Sequence, residues 1–259
     1  MEIYAVANQK GGVGKSATTM NLAGALAEAG DRVLVIDLDP QGHLSDALGI
    51  SEPTEPATLH HAMLGKYTGA FRDLIAPHSS GVDVVPWSLD MFLLEPQLYA
   101  AQGKEHRLSH LLEQVEDDYE VCLIDCPPSL GALTDNALVA ARRRPGRRGG
   151  AFIPVQSEDS SLRALRLFFG QVQSLERSLR LQVELLGMVV NLFDKRRGNI
   201  VLTALDALRS LPLPILAIID DRSTIREAWR AHQTVVTYDP TSAAAGWYRD
   251  LAKAIRDSR

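Results

Sequence analysis

The sequence contains little cysteine, few aromatic side chains and no long apolar segment. Of its 259 residues, 6% are aromatic and two are cysteines, Cys122 and Cys126. Their spacing fits neither a disulfide framework nor a four-ligand zinc site. No apolar stretch approaches the roughly 20 residues that a membrane-spanning helix needs. The chain runs from Met-Glu directly into an apolar segment, without the basic region of a signal peptide. We therefore expect a cytoplasmic protein that is neither exported nor membrane-spanning.

The sequence also lacks an excess of positive charge. Its formal net charge is −5 at pH 7, which argues against a generally basic nucleic-acid-binding protein. Any nucleic acid would have to bind to a local basic patch. The most basic run is Arg142–Arg148, which supplies five arginines.

Short β-branched apolar runs alternate with segments of helical periodicity, which predicts an α/β fold: a mostly parallel twisted sheet with helices on both faces. The hydrophobic content of 46% fits a sizeable core, and we expect one domain over residues 1–259. Predicted strands are Ile3–Ala7, Val33–Asp37, Val82–Val85, Val121–Asp125, Ala151–Val155, Leu185–Asn191 and Ile215–Ile219. Predicted helices are Ser16–Ala29, Leu59–Leu64, Leu162–Leu179, Ser223–His232 and Ala243–Arg256.

The segment Gln9–Ser16 nearly matches the phosphate-binding pattern G-x-x-x-x-G-K-[ST], with Gln9 in place of the first glycine. A strand precedes it and a helix follows, as a phosphate loop requires. Lys15 would then reach the β- and γ-phosphates, and the Ser16 hydroxyl would bind Mg²⁺. The alternative is an ordinary strand-to-helix turn with incidental glycines.

A second lysine, Lys10, lies within this loop. Beside a triphosphate, its ammonium would neutralise charge that develops on the transferred phosphoryl group, as an arginine finger does. The alternative is a solvated surface lysine.

Three aspartates follow predicted buried strands. Asp37 and Asp39 come at the end of the second strand, and Asp125 ends the apolar run Val121–Asp125. Asp39 is the better candidate for orienting the attacking water or the Mg²⁺ shell, with Asp37 supporting it through hydrogen bonds. Asp125 fits a Walker B residue that holds the metal through water. Each could instead be a turn former or a helix cap.

The motifs together resemble the ParA/MinD family of deviant Walker A P-loop ATPases, and within it the Soj-like partition ATPases without an N-terminal DNA-binding domain. The resemblance rests on Lys10–Ser16, Asp37–Gly42, Asp125–Ser129, Ile153–Gln156 and Val235–Pro240.

The resemblance implies ATP and Mg²⁺ as cofactors and an ATP-dependent homodimer in which Lys10 reaches the partner's nucleotide. It also implies that Asp39 is the switch carboxylate and that Asn191 reads adenine, although an asparagine that ends a strand is as often a turn residue. The implied nucleotide contacts are Gly11, Gly12, Val13, Gly14, Lys15, Ser16, Ala17 and Asn191, the implied metal ligands are Ser16, Asp39 and Asp125, and the implied catalytic residues are Lys10, Lys15 and Asp39.

Relatives of this kind bind duplex DNA without sequence preference through basic residues late in the chain. Residues 222, 226 and 230 are spaced four apart, so on a helix they share one face, which could also be an ordinary solvated surface. The candidate DNA contacts are Lys195, Arg196, Arg197, Arg222, Arg226 and Arg230. The implied partners are non-specific double-stranded DNA and a ParB-type centromere-binding protein, with no membrane, which places the protein on the nucleoid.

Several positions depart from the family pattern. Ala17 lacks the hydroxyl that would contact the α-phosphate, and Asp220-Asp221 stands where relatives carry a proline and a basic residue. The tract 142–150 is an insertion that could be a DNA-binding finger, a disordered loop or the product of a reading-frame error. The segment Gly246–Arg259 lacks the strongly apolar face of a MinD-type membrane anchor.

These observations predict a slow, Mg²⁺-dependent ATP hydrolase for plasmid or chromosome partition, whose turnover a ParB-type partner stimulates. The nearest alternative is a MinD-like or other positioning ATPase that acts on a membrane or another adaptor. A metabolic P-loop ligase, an iron–sulfur reductase and a DNA-binding scaffold that does not hydrolyse ATP are further alternatives.

Overall fold

A single eight-stranded sheet forms the centre of the protein. The computed structural model describes residues 1–257, apart from the side chain of Arg197. The strands are β1 (Glu2–Val6), β2 (Val33–Asp37), β3 (Ala76–Pro77), β4 (Val82–Val85), β5 (Val121–Asp125), β6 (Gly149–Gln156), β7 (Leu185–Phe193) and β8 (Ile215–Asp220). Their order across the sheet is β3-β4-β2-β5-β1-β6-β7-β8. All pairs are parallel except the one between β3 and β4 at the edge.

Helices lie on both faces of the sheet. They are α1 (Lys15–Glu28), α2 (His43–Ala47), α3 (Leu59–Met63), α4 (Leu94–Leu98), α5 (Arg107–Glu113), α6 (Ala132–Ala140), α7 (Asp159–Leu179), α8 (Asn199–Arg209), α9 (Ser223–Arg230), α10 (Val235–Tyr238) and α11 (Ala243–Asp257). Helices α3 to α8 lie on one face, and α1, α2 and α9 to α11 lie on the other. Short 3₁₀ helices lie at Phe71–Leu74, Leu89–Leu93, Lys104–His106 and Lys195–Arg197.

The sheet separates two apolar cores. Because successive side chains of a strand point to opposite faces, Ile3 and Ala5 of β1 join one core, whereas Tyr4 and Val6 join the other. The first core is completed by side chains of α5, α6, α7 and α8. The second is completed by α1 and α11. This arrangement confirms the predicted α/β class with helices on both faces.

Some element boundaries differ from the prediction. β6 begins two residues earlier than expected, at Gly149, and α9 ends at Arg230 rather than at His232. His232 has a φ of 55°, a left-handed conformation that cannot continue a right-handed helix. The segment 51–81 had no clear periodicity, and the edge strand β3 within it was not predicted.

The central strands bring the predicted site residues to one edge of the sheet. β2 pairs with β5 so that Asp37 lies opposite Asp125, and β1 pairs with β5 so that Val6 lies opposite the same aspartate. The phosphate loop follows β1 directly. In parallel α/β sheets, ligands bind outside the carboxyl ends of the strands, which is where these residues meet.

Candidate nucleotide site and basic surfaces

The glycine-rich loop lies between β1 and α1, as the sequence predicts. Gly12 and Gly14 have φ values of 73° and 84°, which a residue with a Cβ adopts only at a cost. A Cβ on Gly14 would also lie 2.9 Å from the side-chain nitrogen of Asn191. Helix α1 begins without a side-chain cap. Its first N–H groups and the positive end of its dipole are therefore available to a phosphate.

The side chains around the loop differ in exposure. Val13 and Lys15 are buried, Gly11 and Gly12 are exposed, and Ser16 and Ala17 are intermediate. The Nζ of Lys15 donates a hydrogen bond to the carbonyl oxygen of Lys10, at 3.2 Å. Burial lowers the pKa of Lys15, while the neighbouring carboxylates of Asp125 and Asp39 raise it. The ammonium therefore lies over the loop, where a bound phosphate would meet it.

Three carboxylates lie below this loop, and they are almost completely buried. Asp37 and Asp125 are 0% exposed and Asp39 is 5% exposed. Burial raises the pKa of Asp37 to about 7. Burial, followed by the nearby Asp37, also raises the pKa of Asp125 well above its usual range. The site thus brings together three carboxyl groups and one buried ammonium, that of Lys15, and burial disfavours the charged forms of Asp37 and Asp125.

This donor set fits a hydrated Mg²⁺. Asp37 Oδ1 and Asp125 Oδ2 are buried without a hydrogen-bond partner in the described part of the chain. The Ser16 hydroxyl lies close enough to the Asp125 carboxylate to lower its pKa, so the two groups adjoin one another. Mg²⁺ prefers oxygen ligands and keeps several of its waters. Such waters would satisfy the two orphaned carboxylate oxygens.

Asp37 and Asp39 contact different groups. Asp37 Oδ2 accepts hydrogen bonds from the backbone N–H of Ser45, at 2.8 Å, and from its hydroxyl, at 2.7 Å. It therefore holds the start of α2, and the support of Asp39 that was expected of Asp37 stays a prediction. Asp39 Oδ1 accepts from the N–H of Gln41, at 3.0 Å. The indole N–H of Trp87 donates to the carbonyl of Pro40, which fixes this turn against the segment after β4.

The second lysine of the loop contacts its own chain. Lys10 Nζ lies 2.6 Å from Glu158 Oε2, 2.8 Å from Ser160 Oγ and 3.4 Å from Gln156 Oε1. The side chains of Lys10 and Glu158 are 23% and 36% exposed. The sequence does not predict this contact, because no local pattern links a lysine to an acid 148 residues away. The expected reach of Lys10 to a partner's nucleotide stays a prediction, and it requires this pair to open.

Asn191 lies beneath the loop. It is 4% exposed, and its Nδ2 donates to the carbonyl of Val13 and to the hydroxyl of Thr18, both at 2.9 Å. The structure therefore uses this amide to support the phosphate loop. The expected adenine contact would require a different orientation of the side chain.

Other polar residues that support the loop were not predicted. Asn8 Nδ2 donates to the Pro154 carbonyl, and Gln156 Nε2 donates to the Gly12 carbonyl. Thr19 Oγ1 lies 3.4 Å from Asp125 Oδ1. The available sequence signal was the position of Asn8, a polar residue directly between a buried strand and the loop.

The predicted DNA-binding residues lie on two neighbouring segments, and acids offset several of them. Arg222 precedes α9 and pairs with Asp220, at 3.0 Å, while Arg226 on α9 pairs with Asp221. Arg230 is exposed and has no ion pair within the described part of the chain. On the 3₁₀ helix after β7, Lys195 is exposed and Arg196 pairs with Asp194, at 2.8 Å. The prediction for Arg197 falls on a side chain outside the described residues.

The arginine tract lies at the opposite edge of the sheet, directly before β6. Arg144 and Arg147 form a β-bridge with each other, and both pair with Glu116. Arg142 donates to the hydroxyl of Ser109, at 2.8 Å, and burial lowers its pKa. Three of the five guanidinium groups are thus engaged by the chain, so the tract is a folded turn and not a disordered loop.

The C-terminal helix and the longest internal helices have no membrane-spanning character. Among residues 1–257, no helix is both long enough and apolar enough to cross a bilayer.

Comparison with known proteins gives one family match over part of the chain and matches to relatives over nearly all of it. A family model described as an AAA domain matches residues 1–185. The chromosome partitioning protein ParA of Caulobacter vibrioides is 33% identical over 258 residues, which cover 98% of this chain and 94% of that protein. The sporulation initiation inhibitor protein Soj of Bacillus subtilis is 32% identical over 257 residues and is covered to 98%, as is this chain.

Among solved structures, a Mycobacterium smegmatis protein described as cobyrinic acid a,c-diamide synthase, with a bound ATP analogue and magnesium, has a TM-score of 0.83. It is 31% identical, and the match covers 99% of this chain and 94% of that one. The matches to ParA, to Soj and to the M. smegmatis structure cover nearly the whole chain, which includes the segments that carried the resemblance. The chain therefore belongs to the ParA/MinD family of deviant Walker A P-loop ATPases.

Proposed function

We propose that this ATPase serves plasmid or chromosome partition as an ATP-dependent homodimer that binds double-stranded DNA without sequence preference. A ParB-type partner would stimulate its slow hydrolysis. The observation that carries the proposal is Lys10, a second ammonium at the rim of the phosphate loop, in a chain that matches ParA and Soj almost end to end. The protein would act in the cytoplasm, on the nucleoid.

The loop and its lysines would bind the nucleotide. The backbone N–H groups of Gly11–Ser16 and the ammonium of Lys15 would bind the phosphates of ATP. Ser16, Asp39 and Asp125 would hold Mg²⁺, which supplies positive charge to the β- and γ-phosphate oxygens when bound. Asp39 would orient the attacking water, because its carboxylate is held by the backbone N–H of Gln41 and is freer to turn than that of Asp37, which two hydrogen bonds from Ser45 hold.

Dimerisation would move Lys10 from its own chain to the partner's nucleotide. Its present partners, Glu158 and Ser160, lie on the surface. An ammonium held by partly exposed contacts costs little to release. A triphosphate offers stronger, charge-assisted hydrogen bonds than these groups do. Two such lysines would make ATP, and not ADP, the ligand that joins two chains.

The DNA-binding surface would be α9 together with the 3₁₀ helix at Lys195–Arg197. Its side chains would contact phosphates and not base edges, so binding would be independent of sequence and sensitive to salt. Asp194, Asp220 and Asp221 offset much of its charge in one chain. A dimer would present two such surfaces, which supports binding that depends on ATP.

Substitution of Lys10 tests the dimer. Lys10→Ala should abolish ATP-dependent dimerisation, measured by light scattering after size exclusion, together with ATP hydrolysis. Lys66→Ala is the matched control, because Lys66 is an exposed lysine whose recorded contact is with Gln97, away from the loop. Wild-type dimerisation and hydrolysis in Lys10→Ala would contradict the proposal.

A MinD-like protein on a membrane is the nearest alternative. The apolar side chains of α11 argue against it, since Tyr248, Leu251 and Ile255 are buried in the core and are not available to lipid. Co-sedimentation in ATP with liposomes and, separately, with plasmid DNA distinguishes the two functions. ATP-dependent binding to liposomes without binding to DNA would favour the alternative.

The similarity to the M. smegmatis protein favours a second candidate, ATP-dependent amide synthesis. An enzyme of that kind that takes its nitrogen from glutamine needs a reactive thiol, and reactive thiols are accessible with a lowered pKa. Cys122 and Cys126 are both buried, and burial raises the pKa of each thiol. ATP turnover that requires a small carboxylic acid and ammonia would support amide synthesis. Turnover that DNA and a ParB-type protein raise would support partition.

A further inference from the structure

Four polar side-chain atoms converge outside the nucleotide site, between the start of α3 and the 3₁₀ helix Leu89–Leu93. Asp90 Oδ2 lies 2.9 Å from His60 Nδ1 and 3.1 Å from His61 Nδ1. The two imidazole nitrogens are 3.5 Å apart. Thr58 Oγ1 lies 2.9 Å from both His61 Nδ1 and Asp90 Oδ2.

We propose that His60, His61 and Asp90 form a binding site for a transition-metal dication of the zinc class. Ligand atoms around tetrahedral zinc, with bonds of about 2.0–2.1 Å, lie about 3.3 Å from one another. The separations between the three ligand atoms here run from 2.9 to 3.5 Å. A small cation can enter their midst with only slight outward movement of the side chains. The Thr58 hydroxyl, or a water, would take the fourth position.

The donor set selects the metal. Two imidazole nitrogens and one carboxylate oxygen suit Zn²⁺ and its transition-metal neighbours, whereas Mg²⁺ requires oxygen ligands. This site would therefore not compete for the cation of the nucleotide site. The second oxygen of Asp90 accepts a hydrogen bond from the Ser88 hydroxyl. Ligating carboxylates characteristically have such a second contact, which fixes their orientation.

The surroundings also fit a bound cation. The side chains of His60 and Asp90 are 6% and 9% exposed, and that of His61 is 20% exposed, which leaves one open side for entry. The metal would tie α3 to the segment that follows Trp87, whose indole contacts the turn at Pro40.

Zinc binding to the whole untagged chain tests the proposal. The chain is freed of metal with a chelator and dialysed against ZnCl₂ in excess Mg²⁺ without nucleotide, so that Mg²⁺ competes for oxygen-only sites. Wild type should bind about one zinc per chain. His60→Ala and Asp90→Asn should each weaken zinc binding at least about tenfold. The control is the double variant His106→Ala with His110→Ala, which removes a stacked histidine pair that has no carboxylate partner among the described residues.

Folding and coordination are examined separately. Circular dichroism and Mg-ADP affinity show whether each variant folds. If His60→Ala does not fold, the proposal is judged on His61→Gln, because His61 is the most exposed of the three ligands. Co²⁺ in place of zinc should give the intense visible absorption of tetrahedral coordination in wild type, and His61→Gln should lose it. The proposal is overturned if wild type binds no stoichiometric zinc, if His61→Gln binds zinc as wild type does, or if the control loses as much affinity as His60→Ala.

Discussion

The contact between Lys10 and Glu158 should oppose dimerisation, and Glu158→Gln tests this. In the single chain, the Lys10 ammonium pairs with Glu158 at 2.6 Å. In the proposed dimer, the same ammonium would contact the partner's nucleotide. A symmetric dimer opens two such pairs. Glutamine keeps the size and the acceptor oxygen of the side chain but removes its charge, so it lowers the cost of opening without leaving a cavity.

The exposure of the pair sets the size of the effect. With side-chain exposures of 23% and 36%, water screens the interaction, and one such pair contributes about 0.5–1 kcal/mol. Two pairs give about 1–2 kcal/mol, which corresponds to a dimer dissociation constant about five- to thirtyfold lower. Ser160 and Gln156 still accept hydrogen bonds from Lys10 in the variant. We therefore expect the dimer dissociation constant to fall about fivefold, at the lower end of this range.

Sedimentation velocity with a non-hydrolysable ATP analogue over a concentration series gives the dimer dissociation constant. Asp118→Asn is the control, since it removes the same charge from a surface pair with Arg72 that lies far from the loop. Tighter dimerisation of Glu158→Gln relative to this control is the expected result. Weaker dimerisation would refute the reasoning, because it would mean that Glu158 positions Lys10 in the dimer.

Three further predictions concern the site and the basic surface. The raised pKa of Asp37, about 7, means that the unfolded chain loses this proton at lower pH than the folded chain. The free energy of unfolding, from urea titrations without nucleotide or Mg²⁺, should therefore fall between pH 4 and 7, with up to about 4 kcal/mol of the fall due to Asp37. Asp37→Asn should remove this part and keep the part due to Asp125, whose pKa is also raised. Asn191→Ala removes the buried hydrogen bonds to Val13 and Thr18 and should lower the free energy of unfolding by about 1–3 kcal/mol, with weaker Mg-ADP binding in calorimetry. The double variant Arg226→Glu with Arg230→Glu should lose DNA binding in filter assays and keep its nucleotide affinity. The double variant Arg143→Glu with Arg148→Glu should keep its DNA binding.

The sequence predicted the centre of the site because its parts are local. The spacing of the loop fixes Lys15 and Ser16 on one helix end, and a parallel sheet brings aspartates that follow its strands to one edge. Asp37 and Asp125 accordingly lie opposite each other. The pattern alone was enough to predict that these residues lie together at one edge of the sheet.

The remaining features depend on contacts between distant segments. Glu158 approaches Lys10 only because β6 lies beside β1 in the sheet. Asn191 turns toward the loop because β7 packs next to β6. The pairing of the arginine tract with Glu116 likewise depends on where α5 ends relative to β6. The periodicity of a segment does not indicate which distant segments will lie next to it in the fold.

Duplex DNA binding in ATP, in ADP and without nucleotide, each across a salt series, tests the central claim most directly. We expect binding to plasmid of unrelated sequence in ATP only. The logarithm of the affinity should fall linearly with the logarithm of the salt concentration, because the contacts are to phosphates. Binding of equal strength in all three nucleotide states would contradict an ATP-assembled DNA-binding dimer, as would an absence of binding in ATP.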